Sequence, residues 1–146
     1  MSDEPAVVDA NVLVYSFYTG SEHHTESRRL LERARDSEAG LCTTSQVLAE
    51  FFSIVTSPKR VTLPRTPEDA VSAIEAILAL PGVRLLPVPE EAVSHWLELV
   101  RRKPVTGGMI FDLQLVATML ANGVRRIYTY NRSDFETFAE LDVLTP

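Results

Sequence analysis

At 146 residues, with 45% apolar and 23% charged residues, the chain is sized for one domain with a real core. A net charge of -6 and a pI near 5.0 exclude a broad basic surface for nucleic acid, while leaving room for a local basic rim or for carboxylates gathered on a metal. Cys42 is the only cysteine, no basic segment leads into an apolar leader, and no apolar run approaches the ~18–20 residues that span a bilayer, so a cytoplasmic protein without an intrachain disulfide is expected.

The first element is a strand in "PAVVDA", closed by Asp9 and followed at once by the apolar helix candidate "NVLVYSF". "HHTESRRLLERARDSE" (23–38) places Leu30 and Leu31 on one face of an amphipathic helix that Gly40 ends. "LCTT" (41–44) reads as a second strand, and "SQVLAEFFSIVTS" (45–57) as a helix capped by Ser45 and stopped by Pro58. A proline-punctuated loop, "PKRVTLPR", leads to Thr66-Pro67-Glu68-Asp69, which combines a cap residue, proline in the first turn and acids beside it. That helix, "PEDAVSAIEAILAL", stops at Pro81-Gly82, and "VRLLPV" (83–88) is a third strand.

"PEEAVSHWLELVRR" (89–102) is a further amphipathic helix whose terminal cations suit its dipole, and "IFDLQLVATMLANG" (110–123) is apolar nearly all round, as a buried helix is. "RRIYTY" (125–130) is a fourth strand, "SDFETFAE" (133–140) a short helix and "LDVLTP" (141–146) a last edge strand. Strands separated by helices predict an α/β fold: a short, mostly parallel central sheet with helices on both faces. Ligands of such sheets sit beyond the carboxyl ends of the strands, where Asp9 and the "YNRSD" segment both fall.

Four acids interrupt apolar stretches: Asp9 after Val7-Val8, Glu50 inside "VLAEFFSIV", Asp112 opening "FDLQLVATML", and Asp134 after the fourth strand. Each has an ordinary explanation, since Asp9, Asp112 and Asp134 suit helix starts and Glu50 suits the edge of a helical face. Jointly they describe one pocket whose mutual repulsion a hard divalent cation, Mg²⁺ or Mn²⁺, would offset. No histidine or cysteine accompanies them at zinc spacing, and His23, His24 and His95 read as surface or packing residues.

With these residues in view, the chain resembles the PIN-domain ribonucleases and, among them, the VapC-type toxins of bacterial toxin–antitoxin pairs. The resemblance rests on "VVDANVLVY", "TTSQVLAEFF", "PEDAVSAIEAILALPGVRLLPV", "GGMIFDLQLVATMLANGVRRIYTYNRSDFETF" and "LDVLTP", nearly the whole chain. It implies a three-layer PIN-like fold in a single domain over residues 1–146, with Asp9, Glu50 and Asp112 as core acids of a metal site. It also implies support from Asn11, and pocket-lining hydroxyls at Thr44 and Ser45. Two departures stand out: Asp112 is followed by Leu113-Gln114, and Asn131 occupies the slot after the fourth strand where many members carry an acid. Either Asn131 or Asp134 is then the fourth contact.

The implied activity is Mg²⁺- or Mn²⁺-dependent hydrolysis of RNA, tRNA or rRNA, by a metal-activated water. Phosphate contacts are expected from Arg101, Arg102, Lys103 and Arg132, with Lys59, Arg60 and Arg65 as further candidates. The implied partners are a second copy of the chain and a small VapB-type antitoxin that plugs the site, with Tyr15, Phe17, Phe51 and Phe52 available for a partner groove or for the core. The rival reading within the same fold is a catalytically degraded module that binds RNA or protein. An Asp-rich phosphatase is disfavoured because Asp9-Ala10-Asn11 lacks the second acid of an Asp-x-Asp pair.

Overall fold

The computed structural model describes residues 3–146. Its elements run in the order β1 (Ala6–Val8), α1 (Ala10–Ser16), α2 (His24–Arg33), β2 (Leu41–Thr43), α3 (Ser45–Val55) and α4 (Pro67–Leu78). There follow β3 (Val83–Leu85), α5 (Glu91–Arg102), a 3-10 turn at Gly107–Met109, α6 (Ile110–Ala121), β4 (Arg126–Tyr128), α7 (Arg132–Phe135) and β5 (Asp142–Leu144). All strand pairs are parallel in the order β3-β2-β1-β4-β5, so the sheet is wholly parallel where a mostly parallel one was expected. Five short strands make the sheet, and no helix among the described residues is long and apolar enough to cross a membrane.

The strand order explains where a site can form. From β1 the chain steps outward through β2 to β3, then returns across the sheet to β4 on the other side of β1. Because parallel crossovers are right-handed, reversing the direction of travel moves the helices to the opposite face. Helices α1 to α4 pack among themselves, and α5 packs on α6, as two such layers require. The reversal leaves a crevice beyond β1 and β4, the usual ligand position in an open α/β sheet.

Side-chain burial accounts for the elements. Val7, Val47, Phe51, Val55, Val116, Met119 and Ile127 are completely enclosed, joining strands and helices in one core. α6 is buried on almost every side after its first turn, as its continuous apolar sequence predicted. The short turns use glycine for reasons of space and angle. Gly40 has φ +68, and a Cβ at Gly82 would collide with the backbone of Ala34 and Asp36, where α2 ends.

Several expected boundaries shorten. Helix 23–38 ends at Arg33 because the chain turns through 3-10-like hydrogen bonds over Ala34 to Asp36. The third strand stops at Leu85, because the prolines at 87 and 89 donate no hydrogen bond to a ladder. The cap of α3 is Thr44, not Ser45: the Thr44 hydroxyl accepts from the Val47 amide at 3.1 Å, and Ser45 is the first helical residue. Phe51 belongs to the core, and Phe52 is partly buried against it.

Candidate active site

β1 ends at Val8, and the next residue, Asp9, is 6% exposed. One carboxylate oxygen accepts from the Ala10 amide at 2.8 Å, which caps α1. The other accepts from the Thr129 hydroxyl at 2.8 Å and from the Asn11 side-chain amide at 3.2 Å. Both ordinary and chemical roles therefore fall on one residue, since capping uses one oxygen and the other faces the crevice network.

Thr129 follows β4 directly, is fully buried, and sits across from Asp9 because β1 and β4 are paired. Its hydroxyl donates to Asp9 and accepts from the Asn131 amide at 3.0 Å and from Asn11 at 3.2 Å. The Tyr130 amide donates to the Asn11 side-chain oxygen at 3.1 Å, which turns the nitrogen of that amide toward Asp9. Thr129 is the member of this network that sequence reasoning passed over. The only signal for it was a hydroxyl at the carboxyl end of a strand.

The other acids arrive from separate elements. Glu50 lies on α3 between the buried faces of Val47 and Ile54 and keeps solvent access. Asp112 is the third residue of α6 and half-buried, delivered by the Gly107–Met109 turn, where Gly107 has φ +60. The Gln46 side chain donates to the Phe111 carbonyl at 2.7 Å, tying the start of α3 to the start of α6 and so fixing Glu50 relative to Asp112. Asp134 is exposed on α7, a single turn anchored by the enclosed ring of Phe135.

The charges of these acids are felt from one to the next. Burial raises the pKa of Asp9, and the nearby charge of Asp134 raises it further against the lowering effect of its hydrogen bonds. Partial burial raises that of Glu50, followed by the charges of Asp9 and Asp112, with Arg60 opposing. Asp112 is pushed up to about 6 by burial, then by Asp134 and Asp9. Asp134, three residues past the slot held by Asn131, is thus an acid whose charge Asp9 and Asp112 sense. Asn131 has an exposed side chain, and its amide serves Thr129.

No three His, Cys, Asp or Glu side chains among the described residues stand close enough to grip a metal ion as they are. The set nevertheless fits a hard divalent cation in kind and in charge. Its donors are oxygens, the carboxylates disfavour one another's ionised forms, and the only opposing cation among the causes of these shifts is Arg60. Mg²⁺ in particular keeps several waters and takes one or two carboxylates rather than a complete protein cage. Thr44 is buried and occupied with capping, while Ser45 is exposed.

The expected basic rim is largely spoken for. Arg102 pairs with Glu140 at 2.7 Å, Arg132 with Glu136 at 2.8 Å and Arg101 with Glu98 at 3.5 Å, while the Lys103 ammonium lies 5.5 Å from the centre of the Phe138 ring. Exposed pairs of this kind are individually weak, and turning one onto a phosphate uncovers its acid. His23 stacks on Tyr130 with ring centres 4.1 Å apart, and the His24 ring bonds the Tyr15 carbonyl at 2.9 Å, both packing roles as expected.

Comparison with known proteins agrees with this architecture. The family model described as PIN domain matches residues 6–141. Ribonuclease VapC43 of Mycobacterium tuberculosis is 36% identical over 118 residues, covering 79% of this chain and 78% of its own. Among solved structures, M. tuberculosis VapC20, described as a sarcin–ricin loop cleaving toxin, superposes with a TM-score of 0.67 at 20% identity, covering 93% of this chain and 98% of that one. VapBC2 from Rickettsia felis, bound to a DNA fragment from its promoter, gives a TM-score of 0.67 at 18% identity, covering 97% and 98%.

The acid cluster predicts how stability depends on pH in the absence of divalent cations. The pKa of Asp112 rises from 3.8 to about 6 on folding, so between those values the folded state holds more protons than the unfolded state. Its contribution to stability is therefore full below the lower value and is lost as pH rises through the upper one. In urea unfolding with EDTA, Asp112→Asn should gain stability relative to wild type between pH 4 and pH 7. A difference between the two proteins that stays constant with pH would contradict the shift.

Proposed function

The chain belongs to the PIN-domain family, among its VapC-type ribonucleases, the toxins of toxin–antitoxin systems, and from that premise we propose that Asp9, Glu50, Asp112 and Asp134 form its catalytic and metal-holding acids. The supporting observation is that Asp9, just past β1, Glu50 on α3 and Asp112 on α6 all have raised pKa values, in part from the charges of neighbouring acids, at the sheet's switch point. Mg²⁺ or Mn²⁺ is the cation we assign to them, with Asp9 and Asp112 as principal ligands. We read residues 1–146 as one such domain acting in the cytoplasm.

A bound divalent cation supplies an acidified water and charge stabilisation at the phosphate. The protein's own residues do the rest. Asp9 is held by Thr129, Asn11 and Ala10, so its carboxylate is oriented before substrate arrives. Asp112 and Glu50 both lie near enough to Asp9 for its charge to raise their pKa, and Glu50 is the acid we assign to helping hold the cation or orient the attacking water. Attack at phosphorus breaks the bond to the 3′ oxygen and leaves a 5′-phosphate. The 2′-hydroxyl is not the nucleophile, so selection of RNA rests on binding. Arg101, Arg102, Lys103 and Arg132 are the rim cations we assign to phosphate contacts. The sarcin–ricin loop activity of VapC20 favours a structured RNA such as rRNA or tRNA as substrate.

A small antitoxin is the partner we assign to the site, consistent with the VapBC2 structure and a toxin–antitoxin complex from Klebsiella pneumoniae. A second copy of the chain is the other partner. Its support is an apolar face left open on and before α5, where Val88, Val93 and Leu97 are exposed at 58%, 49% and 41%. Sedimentation should show a dimer that Leu97→Glu converts to monomer. A wild-type protein that sediments as a monomer at tens of micromolar would refute this.

The activity itself is tested by incubating purified protein with total RNA and Mg²⁺ or Mn²⁺. Discrete cuts carrying 5′-phosphates should appear, and both Asp9→Asn and EDTA should abolish them. Cuts ending in 2′,3′-cyclic phosphates, or unchanged activity in Asp9→Asn, would overturn the reading. Thr129→Val removes the hydroxyl that orients Asp9 and should lower metal-dependent cleavage by roughly 10–100-fold, the usual cost of losing a ligand's hydrogen-bond partner. Cleavage by Thr129→Val at the wild-type rate would deny Thr129 that role.

A further inference from the structure

A cavity of ≈ 820 Å³ adjoins the acids on the side of α1. The segment after α1, Phe17 to Ser21, and the loop from Arg60 to Arg65 form its walls, and Asn11 lies on its border. Asn11 also donates to Asp9, so cavity and acid crevice share a side chain. Arg60 lines the cavity and is near enough to Glu50 for its charge to be felt there, which makes a second link.

The cavity holds an arginine that makes no ion pair among the described residues. The Arg65 guanidinium is in none of the ion pairs among the described residues, and its Nε is buried with no hydrogen-bond acceptor. It is nonetheless held in place. The Arg65 amide donates to the Val55 carbonyl at 2.7 Å, and one terminal nitrogen reaches the Phe17 carbonyl at 3.5 Å. The guanidinium carbon lies 5.3 Å and 5.7 Å from the ring centres of Phe17 and Tyr18. A buried donor left unsatisfied costs free energy, and an ordered arginine fork is shaped for the oxygens of a phosphate. Tyr15 and Tyr18 also line the space, and aromatic rings beside a fixed cation form the platform on which single-stranded nucleic acid is stacked. Asp69 is the one acid of the lining, and it is exposed at the outer edge of α4.

Resting on the ribonuclease reading above, we propose that this cavity is a nucleotide subsite for single-stranded RNA. It takes the nucleotide next to the scissile phosphate, with a backbone phosphate on Arg65 and Arg60 and the base against Tyr15 and Tyr18. The site therefore recognises an unpaired, splayed-out base rather than a duplex. A loop of a folded RNA supplies such a base, because stacking within a helix would keep it out of the cavity.

The test is direct binding, so that it does not depend on turnover. Fluorescence anisotropy with a short labelled single-stranded RNA is measured in the Asp112→Asn background with EDTA, over a range of salt concentrations. Arg65→Gln should weaken binding about tenfold, as expected for a charge-assisted contact, and should flatten the plot of log affinity against log salt by about 0.7. Arg60→Gln, at an exposed position where folding is not at stake, should flatten that slope in the same way. Tyr18→Leu should weaken binding by about fivefold or more without changing the slope, as loss of stacking does. Thermal melts check that each variant is folded. Unchanged affinity and slope in folded Arg65→Gln and Arg60→Gln would overturn the subsite, including the case where the cavity serves a protein partner instead. RNA cleavage by the otherwise wild-type chain is scored separately: cleavage without these binding effects sinks the subsite alone, and binding effects without cleavage sink the ribonuclease reading alone.

Discussion

The hydrogen bond from Thr129 to Asp9 is the contact on which the site depends. It joins the residues that follow β1 and β4, two strands adjacent in space but separated by most of the chain. The pairing of Val8 with Tyr128 sets it, and a slip of either strand by one residue would turn its side chain away from the other. An ionised carboxylate that is almost wholly buried needs donors, and Asp9 has three: a hydroxyl, a side-chain amide and a backbone amide. Even so, burial outweighs those donors and its pKa remains raised. The fold thus keeps one carboxylate fixed and incompletely compensated at the point where the strand order reverses.

The remaining acids are held by different means, and the differences bear on what each can do. Asp112 is set by the tie between Gln46 and the Phe111 carbonyl, so α3 and α6 approach at a defined spacing. Asp134 depends on one turn of helix whose anchor is Phe135, and Glu50 keeps solvent access on α3. Position is most tightly specified at Asp9 and least at the exposed pair. A cation with its own waters suits such a mixture, since it takes fixed ligands directly and reaches others through water.

Much of this was legible in the residues before any coordinates. Alternating strand and helix signals specified a parallel α/β sheet, and acids set in apolar runs drew attention to Asp9, Glu50, Asp112 and Asp134, because ionised groups are costly there and leave a visible break in the pattern. Thr129 was not legible for the converse reason: threonine is common in strands, and only the pairing of β1 with β4 puts it against a carboxylate. The cap of α3 was displaced by one residue, since Thr44 and Ser45 are equally good caps and the backbone alone chooses between them. The aromatic residues divided in a way that periodicity did not resolve. Phe51 is enclosed by the core, whereas Tyr15 and Phe17 reach the cavity beside the acids. Nor did the sequence mark Arg65 apart from Lys59 or Arg60, because a buried Nε on an arginine in a proline-rich loop is a consequence of how that loop folds over α1.

A chain of net charge -6 with an acidic crevice repels RNA at long range, so affinity has to come from short-range features that survive screening. The rim arginines are already committed to Glu140, Glu136 and Glu98, and moving one onto a phosphate exposes the acid it leaves. Arg65 has no such partner to give up. It is ordered by the rings of Phe17 and Tyr18 and by a backbone hydrogen bond, so the entropy of fixing its side chain is already spent before a ligand arrives. That makes one preorganised cation beside the acids more effective than several paired ones at the rim. On the proposed subsite, an acidic protein would recognise an anionic polymer locally: repulsion is general, while attraction is confined to the cavity beside the acids.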